Sequence, residues 1–150
     1  MCLTIRPPDA ARRDTINPAA VLTRFKVLRN DATSDPAGPW VTVYRCAPWS
    51  IAGVNVARGR VRAVPRRHSP GVVDLHGGAL HFYDTARGAK SDAPPGRPSR
   101  RVVRVYVVGA DVTAVGTFSG YHSTAARRCY PTKADALAAI KRRKIGPAFA

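Results

Sequence analysis

Apolar and polar positions alternate most clearly in two neighbouring stretches, RVVRVYVV (residues 101–108) and VTAVGTF (residues 112–118), separated by Gly109, Ala110 and Asp111. Period-two alternation of β-branched residues marks a half-buried strand, and the short Gly/Asp connection predicts an antiparallel hairpin. WVTVYRC (residues 40–46) predicts another strand, with Trp40, Thr42, Tyr44 and Cys46 on one face and Val41, Val43 and Arg45 on the other. Leu80 to Tyr83 predicts a further one. AAVLTRFKVL (residues 19–28) suits a strand through the alternation of Val21, Thr23, Phe25 and Val27, and suits a helix through Val21, Phe25 and Leu28; the strand is preferred. The glycines and prolines of GVNVARGRVRAVPRRHSPG forbid a long helix, while Val54, Val56, Val61 and Val64 leave room for short extended pieces. STAARRCY offers a last strand.

Helical signals are fewer. Asp84 or Thr85 can cap one brief turn after the Leu80–Tyr83 strand. PTKADALAAIKRRK has a full signature: Thr132 as cap, Asp135 in the first turn, and a cationic end facing the negative pole of the helix dipole. Its apolar stripe is expected at Ala136, Leu137 and Ile140, with the basic tip turned outward. Residues 1–19, punctuated by Pro7, Pro8 and Pro18, read as an irregular N-terminal arm. RNDATSDPAGP (residues 29–39) and GAKSDAPPGRPS (residues 88–99) read as loops, and residues 146–150 as a tail. The pattern predicts an α+β fold: a single β-rich domain over residues 20–145, its curved, mainly antiparallel sheet containing residues 40–46, 80–83 and 101–118, with one C-terminal helix against it.

Charge changes this picture from architecture to function. Lys and Arg number 25 against nine acidic residues, a formal net charge of +16, and every acidic residue is aspartate. A chain so charged repels itself and attracts polyanions, and arginine favours bidentate contacts to carboxylate or phosphate. In an extended segment Arg58, Arg60 and Arg62 point to one side, and Arg66 and Arg67 continue the patch. With Arg100, Arg101, Arg104, Arg127, Arg128, Lys141, Arg142, Arg143 and Lys144 they form the candidate surface for a polyanion or acidic partner. The alternative is that each is a solvated edge, since arginines blunt exposed strands against aggregation.

Catalytic and metal chemistry find little support. Asp74, His76 and His81, with His68 upstream, follow no rigid ligand spacing, and His81 alternates with Leu80 and Phe82 as an ordinary strand residue. Cys46 with His81 and Asp84, or His122 with Ser123, can be drawn as nucleophilic sets but lack a nucleophile elbow. No P-loop or dinucleotide fingerprint is present. VYRC followed by HFYDTARGA superficially resembles the core of ADP-ribosyltransferases, whose site is completed by a glutamate; this chain contains none, though a nucleotide pocket near Arg45, His81 and Tyr83 survives that objection. No catalytic residue, metal or cofactor is assigned. Cys2, Cys46 and Cys129 are odd in number and widely spaced, which predicts reduced thiols rather than a disulfide framework. There is no apolar run long enough to span a bilayer, and MCLTIRPPDAARRD lacks the apolar block of a signal peptide.

From residue 40 to about 130 the motifs VYR, APWS, GVNV, GALHFY, DTARGA and VRVYVV…DVTAVG, with the MCLTI start, resemble a small family of phages and large DNA viruses. The resemblance implies a viral setting, in the virion or the host cytoplasm or nucleus, and no particular activity. Together the two lines give the expectation of a non-enzymatic structural or accessory component of a virus particle, such as a minor capsid protein, held by arginine contacts to acidic protein neighbours or to nucleic acid. A DNA- or RNA-binding protein is the alternative, and an anionic-nucleotide binder the third. Against nucleic acid, the aromatic residues lie in apolar strands rather than among the arginines, where stacking on bases would need them.

Overall fold

The computed structural model describes residues 3–30, 40–44, 47–95 and 99–147. Its strands are β1 (Leu3–Ile5), β2 (Val21–Arg29), β3 (Val41–Thr42), β4 (Asn55–Val56), β5 (Val61–Pro65), β6 (Val73–Gly77), β7 (Leu80–Tyr83), β8 (Arg100–Val108), β9 (Val112–Phe118), β10 (Tyr121–Ala126) and β11 (Arg128–Cys129). The helices are α1 (Pro7–Asp14), α2 (Ala86–Asp92) and α3 (Lys133–Arg142). A curled antiparallel sheet, a half-barrel, runs β3-β2-β7-β10-β9-β1-β6-β5, with β8 added on β2, while β4 and β11 form a separate ladder. The α+β class and the C-terminal helix against the sheet are as the pattern predicts. The curl encloses the main core, built from Leu28, Trp40, Trp49, Phe82, Val105, Val107, Val115 and Cys129.

The N-terminus departs from its reading as an irregular arm. β1 lies inside the sheet between β6 and β9, and Leu3 is fully buried. Pro7 and Pro8 start α1 rather than break the chain: at the first helical positions their missing N–H costs nothing and their φ is already helical. Asp9 accepts from the Arg6 amide at 2.9 Å and pairs with Arg12 at 3.1 Å, closing the helix on itself. Gly116 makes room for β1, because a Cβ there would stand 2.2 Å from the Thr4 carbonyl oxygen.

The expected hairpin at residues 101–118 is also corrected. β8 pairs with β2 over its whole length, whereas β9 pairs with β10 and β1. Between them Gly109–Asp111 form a 3-10 turn whose first two amides donate to the carbonyls of Ala20 (2.8 Å) and Pro18 (2.9 Å), which redirects the chain into a different part of the sheet. The tight hairpin is instead β9–β10, where Ser119 (φ 50) and Gly120 (φ 81) supply the two positive φ angles that such a turn needs.

Among its described residues WVTVYRC holds a strand only at Val41–Thr42. The Thr42 amide donates to the Ala47 carbonyl and the Trp49 amide to the Trp40 carbonyl, so the chain doubles back and sends both tryptophans into the core. Residues 45–46 lie outside the described residues. The 88–99 segment, expected as a loop, begins inside α2, with Thr85 as the cap accepting from the Gly88 amide; residues 96–98 are outside the described set. In α3 the buried face is Ala136, Ala139 and Ile140, while Leu137 is half exposed. The i, i+3, i+4, i+7 continuation of that face is Arg143, which therefore turns toward the sheet.

Candidate binding surface and cleft

The candidate cations divide into two groups. Those bound within the fold begin with Arg143, whose guanidinium makes a bidentate contact to Asp111 at 2.7 and 2.8 Å and reaches the Tyr130 hydroxyl at 3.2 Å. Arg128 adds a third approach to the same carboxylate at 3.5 Å. Asp111 is only 3% exposed, so these two arginines neutralise a buried anion that would otherwise be prohibitive; the contact to Asp111 in turn raises the Arg143 pKa above its ordinary value. Arg66 binds Asp74 at 2.8 Å and Thr4 at 3.0 Å, holding the Asp74 carboxyl below the usual carboxylate range. Arg100 caps the Asp92 carbonyl at 2.7 Å.

The rest face solvent. Arg58, Arg60, Arg62 and Arg67 are exposed, and no carboxylate among the described residues pairs with them. Arg62 lies in β5 and the other three beside it; β5 is the last strand of the sheet, its five residues are all exposed, and among the described residues it pairs only with β6. Arg101 and Arg104 are exposed too but point to opposite faces of β8, over the rings of Trp40 (5.8 Å) and Phe25 (6.0 Å). Arg127, Lys141, Arg142 and Lys144 are exposed near β11 and the end of α3. The fourteen cations therefore do not form one face; the dense exposed cluster is the β5 edge.

The second site centres on Lys26, a residue that the sequence pattern does not single out as functional. β2 and β7 share a single residue pair, Phe25 with Tyr83, and the sheet parts beyond it. Into that split goes Lys26, 9% exposed, whose Nζ donates to the His81 carbonyl at 2.8 Å and lies 5.6 and 5.7 Å from the ring centroids of Trp49 and Phe82. Burial lowers its pKa to about 8, and no carboxylate among the described residues balances its charge. The nearby Cys129 thiol is pushed up to about 12 by burial, so it stays neutral. A cleft of about 320 Å³ opens here, lined by Lys26 together with residues of β3, β7 and the segment 54–58.

His81 and Tyr83, named with Arg45 for a nucleotide pocket, both line this cleft; Arg45 lies outside the described residues. The Tyr83 hydroxyl hydrogen-bonds Asp92, and burial first, then that contact, raises the tyrosine pKa. His76 and Asp74 sit on β6, opposite Arg62 and Val64 of β5. One signal for Lys26 was available: the strand face Leu22, Arg24, Lys26, Leu28 carries leucines at both ends, which marks it as buried rather than solvated. No family model, curated protein or solved structure matches the chain.

Proposed function

We propose that this chain is a non-enzymatic structural or accessory component of a virus particle that docks through the basic β5 edge onto an acidic protein neighbour. The observation that carries the docking reading is the edge itself: a strand exposed on both faces that contains Arg62 and has Arg58, Arg60 and Arg67 beside it, with no acidic partners among the described residues. An unpaired strand edge can accept another extended segment by main-chain hydrogen bonds, and arginines in and beside the strand select an acidic one. Val61 and Val64, both more than a third exposed, give such a segment apolar contact that a nucleic-acid backbone does not use. The viral setting rests on the motif resemblance.

Nucleic acid is the second reading, supported by the net charge of +16. The same experiment separates them. Particles from the native source are washed through a salt and nuclease series, and the chain is followed by mass spectrometry. Retention after nuclease, with release only as the particle comes apart, supports docking on protein; loss on nuclease or at moderate salt makes nucleic acid the partner. Replacing Arg58, Arg60, Arg62 and Arg67 by serine should abolish retention while leaving the fold intact. Unchanged retention of that variant would sink the β5 assignment.

A further inference from the structure

We propose that the cleft at the β2–β7 split binds a small apolar molecule bearing one carboxylate, whose acid group is held by the Lys26 ammonium. The site shares only the rim residue Arg58 with the basic edge, and the proposal does not depend on the docking reading. Three observations converge. The first is the cation. Lys26 has three donors, one of which is given to the His81 carbonyl, and beside it stand the rings of Trp49 and Phe82 and the neutral Cys129 thiol. Ring faces and one carbonyl soften the cost of a buried ammonium but do not neutralise it, so among the described residues the group lacks an anion.

The second observation is the shape and lining of the space beside it. The cleft is at the small end of ligand pockets in size, and its lining is more apolar than polar, with Val27, Val43, Trp49, Val54, Val56 and Leu80 among it. Its one lining carboxylate, Asp92, is engaged by the Tyr83 hydroxyl. A ligand carboxylate is therefore drawn to the Lys26 end, with Arg58 adding positive potential at the rim. A single compensating cation on the floor suits a monoanion rather than a phosphate.

The third is the rim. Tyr44, Val54 and Val56 all line the cleft and are 49%, 49% and 55% exposed. Large hydrophobic side chains scattered singly need no explanation, but three gathered at one mouth offer apolar surface to an occupant. The hydrocarbon part of the ligand lies against Trp49, Val54 and Val56.

The test is isothermal titration of the intact chain with 4-phenylbutyrate, its uncharged amide 4-phenylbutyramide, and adenosine monophosphate. The acid should bind with a Kd on the order of 0.1 mM, and the amide at least tenfold more weakly. Lys26→Met, which keeps the side-chain length without the charge, should bind acid and amide alike. Should Lys26→Met not fold, Val56→Asp changes an exposed rim residue and should weaken acid binding tenfold or more at unchanged melting temperature. Equal affinity of the native chain for acid and amide, no binding of either, tighter binding of adenosine monophosphate, or an acid preference that persists in Lys26→Met would each overturn the proposal. Undiminished acid binding by Val56→Asp would overturn it as well.

Discussion

Asp111 and Lys26 are both buried ions, and the fold treats them in opposite ways. Asp111 receives two guanidiniums and is closed off as a structural lock between the β8–β9 turn, β11 and the end of α3. Lys26 receives one carbonyl and two ring faces, and opens onto a cleft. A buried charge that is fully matched cements the elements around it, whereas one left unmatched retains interaction free energy for something from outside. The difference also sorts the arginines: in a chain with nine acidic residues, those facing Asp111 and Asp74 are committed to the fold, and those along β5 are not.

The comparison is broken most severely at Asp111. Asp111→Asn keeps the shape but leaves Arg143 and Arg128 without their anion, and should cost about 3–5 kcal/mol in urea unfolding. A loss below about 1 kcal/mol would mean that the lock is solvated. Arg143→Met removes the bidentate partner while Arg128 remains, so the expected loss is smaller, about 2–3 kcal/mol, measured in the same way.

Lys26 sharpens the comparison through pH. Its folded pKa, about 8, is below the ordinary lysine value of 10.5, so between these the unfolded chain holds more protons. Stability attributable to Lys26 therefore rises as pH rises through 8, and the penalty is fully present below it. From pH 7.5 to 9 the native chain should gain about 1 kcal/mol relative to Lys26→Met, read from unfolding midpoints of both proteins. The window stops at 9 because Cys129 acts with the opposite sign: its raised folded pKa means that stability is lost above the ordinary thiol value of 9.0. A flat difference between the two proteins would show that Lys26 is more hydrated than its surroundings suggest. The smallest effect is expected at the β5 edge, where Arg60→Ser, Arg62→Ser and Arg67→Ser together should change stability by no more than about 0.5 kcal/mol. A larger loss would make those arginines part of the fold.

The α+β class and a curved antiparallel sheet were legible in residues. β-branched alternation marked β8 and β9, Leu80–Tyr83 was read at its observed bounds, and Thr132 capped α3 as its hydroxyl predicted. Pairing was another matter. Gly109–Asp111 looks like a hairpin turn in sequence, and only the capture of its amides by Ala20 and Pro18 turns it into a corner. Pro7 and Pro8 illustrate the same limit, since proline marks the start of a helix as readily as its end.

The charge imbalance was determined by composition alone, because no arrangement of nine aspartates can balance 25 cations. Which cations remain available was decided only in three dimensions. Arg143 reaches Asp111 across 32 positions, and Lys26 reaches the His81 carbonyl across 55. Local pattern reports which way a side chain faces, but a site is made by what stands opposite, and that depends on the closure of the sheet.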